Sequence, residues 1–402
     1  MPKSKITSPK HTQRQVILNA RRNEKMARSM QSYVRGSTTN FYEWLETSSI
    51  GKLPEGPPVW ICGDCHFGNL GPVANVKGQI DIQIRDLDQS VIGNPIHDVI
   101  RLGLSLAVAA RDSDLPGVTT VRLLENLIAG YIQEFSDTSP KMPHPDCIQL
   151  VMHQASIARW KTLAKDNIGA VGLTIPLGKR FWPISTKESH AVAGLCDDLE
   201  FARLATMLRS RSNQVNVTVL DAAYWVKGCS SLGNLRYAVL LDIREEESSA
   251  RDFCLIDVKE AIKAIAPRAA GVRMPRDNGK RILQGAKALS PYLGDRMLAT
   301  QIMGRSVCMR ELLPEDLKLE IDQISRADAM TAAKYLGAVV GKAHARQMDA
   351  GTRSAWHKEL LRNRGKKINA PIWLWDSVVE LISTHGVGYL EHCRRYATTL
   401  PE

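Results

Sequence analysis

Apolar residues change their spacing twice along this chain, and that change restricts its fold more than any single motif does. Over 96–110 nearly every side is apolar, the pattern of a helix sunk in a large core. Over 121–135, Val121, Leu124, Ile128, Tyr131 and Phe135 recur at helical spacing on one face. Segments 148–163 and 192–208 read as further helices. From residue 213 the texture turns to short runs of strand character, 217–220, 222–226, 235–243 and 253–258. A last such run, 307–313, is stopped by Pro314. Helical spacing then returns over 330–346 and 376–396. This order predicts an α+β fold: a helical part over 1–212, a sheet-rich unit over 213–313, and helices over 314–402 that complete the first part.

A chain of 402 residues, 44% hydrophobic and 24% charged, can bury such a core as ordinary globular proteins do. Its longest apolar stretch, near 102–110, is about half of the roughly 20 residues that a membrane helix needs, so no membrane partner is expected. Residues 1–30 are polar and rich in Lys and Arg, without the apolar centre of a secretion signal, and a cytoplasmic location is expected. The eight cysteines are too scattered for a disulfide scaffold. Only Cys62 and Cys65 form a C-x-x-C pair, and a zinc site would want a second ligand pair at similar spacing. The formal net charge of +11 raises the expectation of an anionic partner, whether nucleotide, phosphorylated substrate or nucleic acid.

The sharpest local signal is Gly63-Asp64-Cys65-His66-Phe67-Gly68-Asn69, followed by Arg85-Asp86-Leu87-Asp88. Between them, 70–73 and 80–84 read as the arms of a hairpin, with turn residues over 75–78. Arms of similar length return Asp86 to the neighbourhood of Asn69. Asn69, Asp86 and Asp88 then form an oxygen donor set suited to magnesium, and Asp64 is placed to accept the proton of an acceptor hydroxyl, as phosphoryl transfer requires. Taken singly, each of these residues also has a structural reading as a turn cap or a left-handed loop position.

A second signal is Lys227-Gly228-Cys229-Ser230-Ser231-Leu232-Gly233-Asn234, which joins two strands through small residues. Its glycines would let backbone N–H groups approach phosphate, although a glycine turn between strands is common without a ligand. It is not a Walker loop, because Asn234-Leu235 stands where Lys-Ser/Thr is required. Lys259 ends a later strand, and a glycine-rich hairpin followed by such a lysine is the order that protein kinases use over ATP phosphates. No acidic partner of Lys259 is legible: Gln284 stands at a plausible distance without charge, and Glu260 points to the opposite face.

Together GDxHxxN, DLD, the later G-x-x-S-x-G, V-K-E-A, R-x-L-x-G and A-H-A-R resemble the bacterial domain-of-unknown-function 2252 family, over roughly residues 20–396. The individual pieces resemble those of aminoglycoside and choline phosphotransferases, but in rotated order. The resemblance implies a bilobal protein-kinase-like fold with circularly permuted motifs, a mostly helical large lobe and an antiparallel-sheet small lobe. It implies ATP and Mg2+ as cofactors. Gly228, Ser230, Ser231, Gly233 and Lys259 would meet the phosphates, and the backbone of Glu311 and Leu313 the adenine. It also implies that the helix ending at His344 lies near the strand at Trp60. Asp98 matches an aspartate that holds the active loop through backbone N–H groups, with helix N-terminal stabilisation as the alternative. The histidine expected before Gly63 is Cys62, so His66 is either a replacement anchor or an ordinary packed side chain, and His344 reads as structural. The expected activity is transfer of phosphate to an unidentified hydroxyl acceptor, small molecule or protein. The alternatives are nucleotidyl transfer and a non-catalytic module binding nucleotide or nucleic acid.

Overall fold

The computed structural model describes residues 13–48, 53–112, 117–136, 142–157, 174–206, 215–229, 232–245, 251–313, 326–362 and 369–396. The chain opens with three helices, α1 (Arg14–Ala27), α2 (Met30–Gly36) and α3 (Thr38–Thr47). Four short strands follow: β1 (Val59–Ile61), β2 (Leu70–Ala74), β3 (Ile80–Ile84) and β4 (Val91–Gly93). Next come α4 (Ile96–Asp112), α5 (Gly117–Gln133), α6 (Asp146–Ile157), β5 (Phe181–Trp182), α7 (Thr186–Ala193) and α8 (Leu199–Thr206). The strands β6 (Val215–Trp225), β7 (Arg236–Glu245) and β8 (Arg251–Glu260) precede α9 (Asn278–Leu289), α10 (Pro291–Gly294), β9 (Met297–Ile302) and β10 (Arg305–Glu311). Three helices end the chain, α11 (Arg326–Ala345), α12 (Ala350–Leu361) and α13 (Ile372–Tyr396). The architecture is α+β, and among the described residues no helix is long and apolar enough to cross a membrane.

One antiparallel sheet has the order β5-β6-β7-β8-β10-β9, and two antiparallel pairs, β1-β4 and β2-β3, stand apart from it. Because side chains alternate along a strand, each face of the large sheet has its own composition. Tyr237, Val239 and Leu241 of β7 and Ile256 and Val258 of β8 fill one apolar cluster, into which α1 inserts Leu18. On the other face Trp225, Ala238, Leu240 and Leu255 meet Ile175. Further along that second face the alternation continues as Arg236, Asp257, Lys259 and Arg310. A separate and larger core holds α4, α5, α11 and the small strands.

The tightest helix contact in that core is between α5 and α11. A Cβ on Gly130 would lie 1.8 Å from the Lys334 carbonyl oxygen, and one on Gly337 would lie 2.1 Å from that of Leu127. Only glycine permits backbones to approach so closely. The crossing sets the position of the C-terminal end of α11, where the Gln347 amide accepts from the Trp60 N–H at 2.8 Å and donates to the Trp60 carbonyl at 3.0 Å. The end of α11 and strand β1 are therefore neighbours.

The expected hairpin is present: Leu70 pairs with Ile84 and Ala74 with Ile80. Three local expectations change. The runs 217–220 and 222–226 are one strand, β6, bent by a bulge between Val219 and Asp221. The helix expected over 192–208 is broken by the 3-10 turn Gly194–Asp197, after which the Asp198 carboxylate accepts from the Glu200 N–H at 2.9 Å. The sheet-rich stretch contains α9 and α10, and its sheet reaches back before residue 213 to recruit β5. The part of the 148–163 helix beyond Ile157 lies outside the described residues.

Candidate functional site

The loop from Cys62 to Asn69 follows β1 and is gripped from beneath. Asp98, fully buried in the first turn of α4, accepts from the N–H of Cys62 at 2.7 Å and of Gly63 at 2.9 Å. It is held in turn by His344 Nε2 at 3.2 Å, while His344 Nδ1 meets the Tyr131 hydroxyl at 3.1 Å. The Trp356 indole can only donate, and it donates to that hydroxyl at 3.4 Å. The Asp98 carboxylate can only accept, so His344 Nε2 donates to it. Asp98 thus anchors the loop, and His66 is buried and packs its ring against Gly68. His344 does more than close a helix, because it orients the aspartate that orients the loop.

Asp64 projects from this loop against Arg101 of α4, Nε to Oδ1 at 2.9 Å, and Arg101 also donates to the Val34 carbonyl at 2.6 Å. Burial raises the Asp64 carboxyl above its usual value, and the Arg101 charge only partly opposes this. Asn69 donates its side-chain amide to the Asp64 carbonyl at 2.9 Å, which leaves its amide oxygen as the outward-facing acceptor. The hairpin brings its two ends together, with the Arg85 N–H donating to the Asn69 carbonyl at 2.7 Å. Asp86 and Asp88 follow immediately.

Lys259 reaches both of these carboxylates across the cleft, at 3.1 Å from Asp86 and 2.5 Å from Asp88. These are the acidic partners that the sequence left unidentified. Neither Gln284 nor Glu260 serves; Glu260 accepts from the Leu235 N–H at 2.7 Å and pairs with Arg305. Burial works to raise Asp86, but the hydrogen-bonded Lys259 ammonium outweighs it and holds the carboxyl well below its usual range. Burial, then the adjacent Asp86 charge, pushes Asp88 up to about 6. Burial alone would lower Lys259; the two aspartates raise it.

Two cavities meet at these groups. A cleft of about 1140 Å³ lies between the sheet and the helical part, and a smaller one of about 110 Å³ opens beside Asp64 and Thr38. Asn69, Asp86 and Asp88 line both, whereas Lys259 lines only the first and Asp64 only the second. The arrangement therefore offers one chamber to a large anion and another to a smaller group, with three oxygen donors between them. Eleven Lys and Arg side chains and four carboxylates line the larger cleft among the described residues, so its walls are strongly basic.

Of the glycine loop, Gly228 lines the cleft and Gly233 sits behind it, against Gln15 of α1. Both have a φ near 100°, at 103° and 104°, a region that side chains disfavour. Ser230 and Ser231 lie outside the described residues. Glu311 and Leu313 are not brought into the cleft: β10 presents Cys308, Met309 and Arg310 instead. The Glu311 carbonyl accepts from Arg296 at 3.4 Å, and the Leu312 N–H donates to the Leu255 carbonyl at 2.8 Å.

Sequence reasoning missed Arg101, and it met Arg281 only as the start of the R-x-L-x-G segment, without a role. Arg281 on α9 donates to the carbonyls of Ser90, Asp88 (2.9 Å) and Ile262 (2.8 Å), and so pins the chain just after the aspartate pair. Asp277, an N-cap that accepts from the Lys280 N–H, was the available signal for α9. Cys62, Cys65 and Asp98 bring ligand atoms within 4.8 Å of one another. Both Asp98 oxygens are already hydrogen-bonded. The Cys62 thiol is pushed up by its hydrogen bond with Cys65 and by burial, and Cys65 is also raised.

The model of a family described as uncharacterized proteins conserved in bacteria, DUF2252, matches residues 14–395, and the chain belongs to that family. No curated protein and no solved structure matches it.

Proposed function

We propose that this protein is an ATP- and magnesium-dependent phosphotransferase with a bilobal, protein-kinase-like fold whose motifs run in circularly permuted order. The observation that carries the reading is the meeting of Lys259 with Asp86 and Asp88 where the two cavities join, with Asp64 on the far side. The hydrogen bonds between Gln347 and Trp60 support the permuted order, since they join the end of one helical segment to the strand that would follow it. The donor set fits magnesium once Lys259 turns from Asp86 and Asp88 to the phosphates, for two carboxylates and an amide oxygen are hard oxygen ligands. Magnesium bound there would shield the charge of the nucleotide phosphates.

Asp64 would accept the proton of an acceptor hydroxyl in the smaller cavity. Its raised affinity for protons suits that task at neutral pH. The acceptor oxygen forms a bond to the terminal phosphorus, the bond from that phosphorus to the bridging oxygen breaks, and ADP leaves. Lys259 would hold the phosphates, and Asp98 with His344 keeps the loop backbone from shifting. A thermal-shift series with ATP, GTP and magnesium tests the class. Nucleotide at a hundredfold excess over its Kd should stabilise the wild type by about 2.7 kcal/mol. That stabilisation should require magnesium and vanish in Asp86→Ala, and a wild type indifferent to every nucleotide would refute the reading.

A further inference from the structure

The cleft-facing side of the sheet is divided, and its apolar half is already covered. Trp225, Ala238, Leu240 and Leu255 are buried against Ile175, so what remains open to a ligand is the charged half. There Arg236 forms a two-pronged pair with Asp257 at 2.8 and 2.5 Å, and Arg310 approaches the same carboxylate at 3.9 Å. Lys227 projects beside them over the Trp225 ring, 4.2 Å from its centre, with Arg236 at 5.1 Å from the same ring. Among the described residues no carboxylate is in ion-pair contact with Lys227. Asp86 and Asp88 pair directly with Lys259. Among these three cations only Arg236 and Arg310 contact a carboxylate, and it is the same one, Asp257; Asp86 and Asp88 act on Arg236 from further off, and the indole contributes only the attraction of its π face, not a counter-charge. Cations drawn from water without a counter-charge are costly, and a bound anion removes that cost.

We propose that Lys227, Arg236 and Arg310 form a phosphate-binding subsite on the sheet wall of the cleft, distinct from the pairing of Lys259 with Asp86 and Asp88. The ligand chemistry is a phosphate or polyphosphate group. Its source is either the nucleotide's own tail, laid along the sheet, or a phosphate carried by the acceptor. The subsite deepens the reading of the cleft as a phosphotransferase site and rests on it. The state of Lys227 agrees with it. Burial, with Arg236 and Arg310 adding to the effect against Asp257, lowers its ammonium to about 7. Arg180 also faces it and acts in the same direction. An arriving anion would raise that value, so binding above neutral pH should take up a proton.

Calorimetric titration with inorganic tripolyphosphate in the presence of EDTA tests the subsite without base or metal. Wild type should bind, and Lys227→Met and Arg310→Met should bind about 10- to 100-fold more weakly, the loss of one charged hydrogen bond. Lys227→Arg, which keeps the charge, should recover part of the loss and guards against misreading a folding defect. The proton uptake should be seen in wild type and be missing from Lys227→Met. Binding by Lys227→Met equal to wild type, or none by wild type, overturns the proposal. Competition between ATP and tripolyphosphate would assign the subsite to the nucleotide tail, and in that case the product should be analysed for a transferred nucleoside monophosphate. Simultaneous binding would assign it to the acceptor. Tripolyphosphate binding without any magnesium-nucleotide effect would leave the subsite standing and remove the phosphotransferase reading, so the two failures are distinguishable.

Discussion

Asp64 owes its chemistry to two opposing neighbours, a buried surround that favours its protonated form and Arg101, which favours the charged one. Replacing Asp64 with Asn should lower turnover by about 10² to 10⁴ while nucleotide affinity stays near wild type, read as kcat against Kd. A base works only when deprotonated, so kcat should rise with pH through a midpoint above the ordinary carboxylate value. Arg101→Met removes the group that holds that midpoint down, and the rise should move to higher pH. The same substitution leaves Asp64 buried without its partner and should cost about 3–5 kcal/mol in denaturant unfolding. Asp98 has the opposite duty: both oxygens are spent on holding chain. Asp98→Ala should lose a comparable amount of stability, because two buried N–H groups and His344 lose their acceptor together. A negligible loss would show that the loop is held by something else.

At the level of elements, the hairpin β2–β3 was legible because strand period and turn residues are local properties, and its return of Asp86 to Asn69 follows from arm length alone. The helix α9 was less legible, although Asp277 and the helical spacing of Ile282, Ala286 and Leu289 were available, because it interrupts a stretch that otherwise reads as strands. The crossing of α5 and α11 was not legible at all. Its glycines look like ordinary weak points of a helix until the facing carbonyls are known. Gly337→Val should therefore force these helices apart and displace His344 from Asp98. Expected outcomes are a drop of several degrees in Tm and a loss of activity greater than that of Gly386→Val, a control where an added Cβ meets nothing within 4 Å. A Gly337 variant with unchanged melting would remove the crossing from the support of the site.

Across the whole molecule, α1 joins the sheet to the helical core. Arg14 pairs with Glu188 at 2.8 Å and Leu18 enters the sheet cluster, while Asn23 and Ala27 accept hydrogen bonds from His392 and Tyr389 of α13. Lys25 also donates to the Gly228 carbonyl at 2.8 Å, which ties the glycine loop to the same helix. Leu18→Ala should cost about 2–5 kcal/mol and speed amide exchange over 215–245 more than over α4; equal effects on both would deny α1 this joining role. The order of helical and strand segments, the hairpin, and a loop of Asp and Asn returning beside a second carboxylate pair were set by the sequence itself, since each depends on periods and spacings of a few residues. The partners of Lys259, the grip of Asp98 on the loop, the covering of the apolar sheet face and the gathering of three cations around Asp257 were decided only in three dimensions. These contacts join residues separated by up to 246 positions, and no local period records which distant side chains a packed core brings within hydrogen-bonding reach.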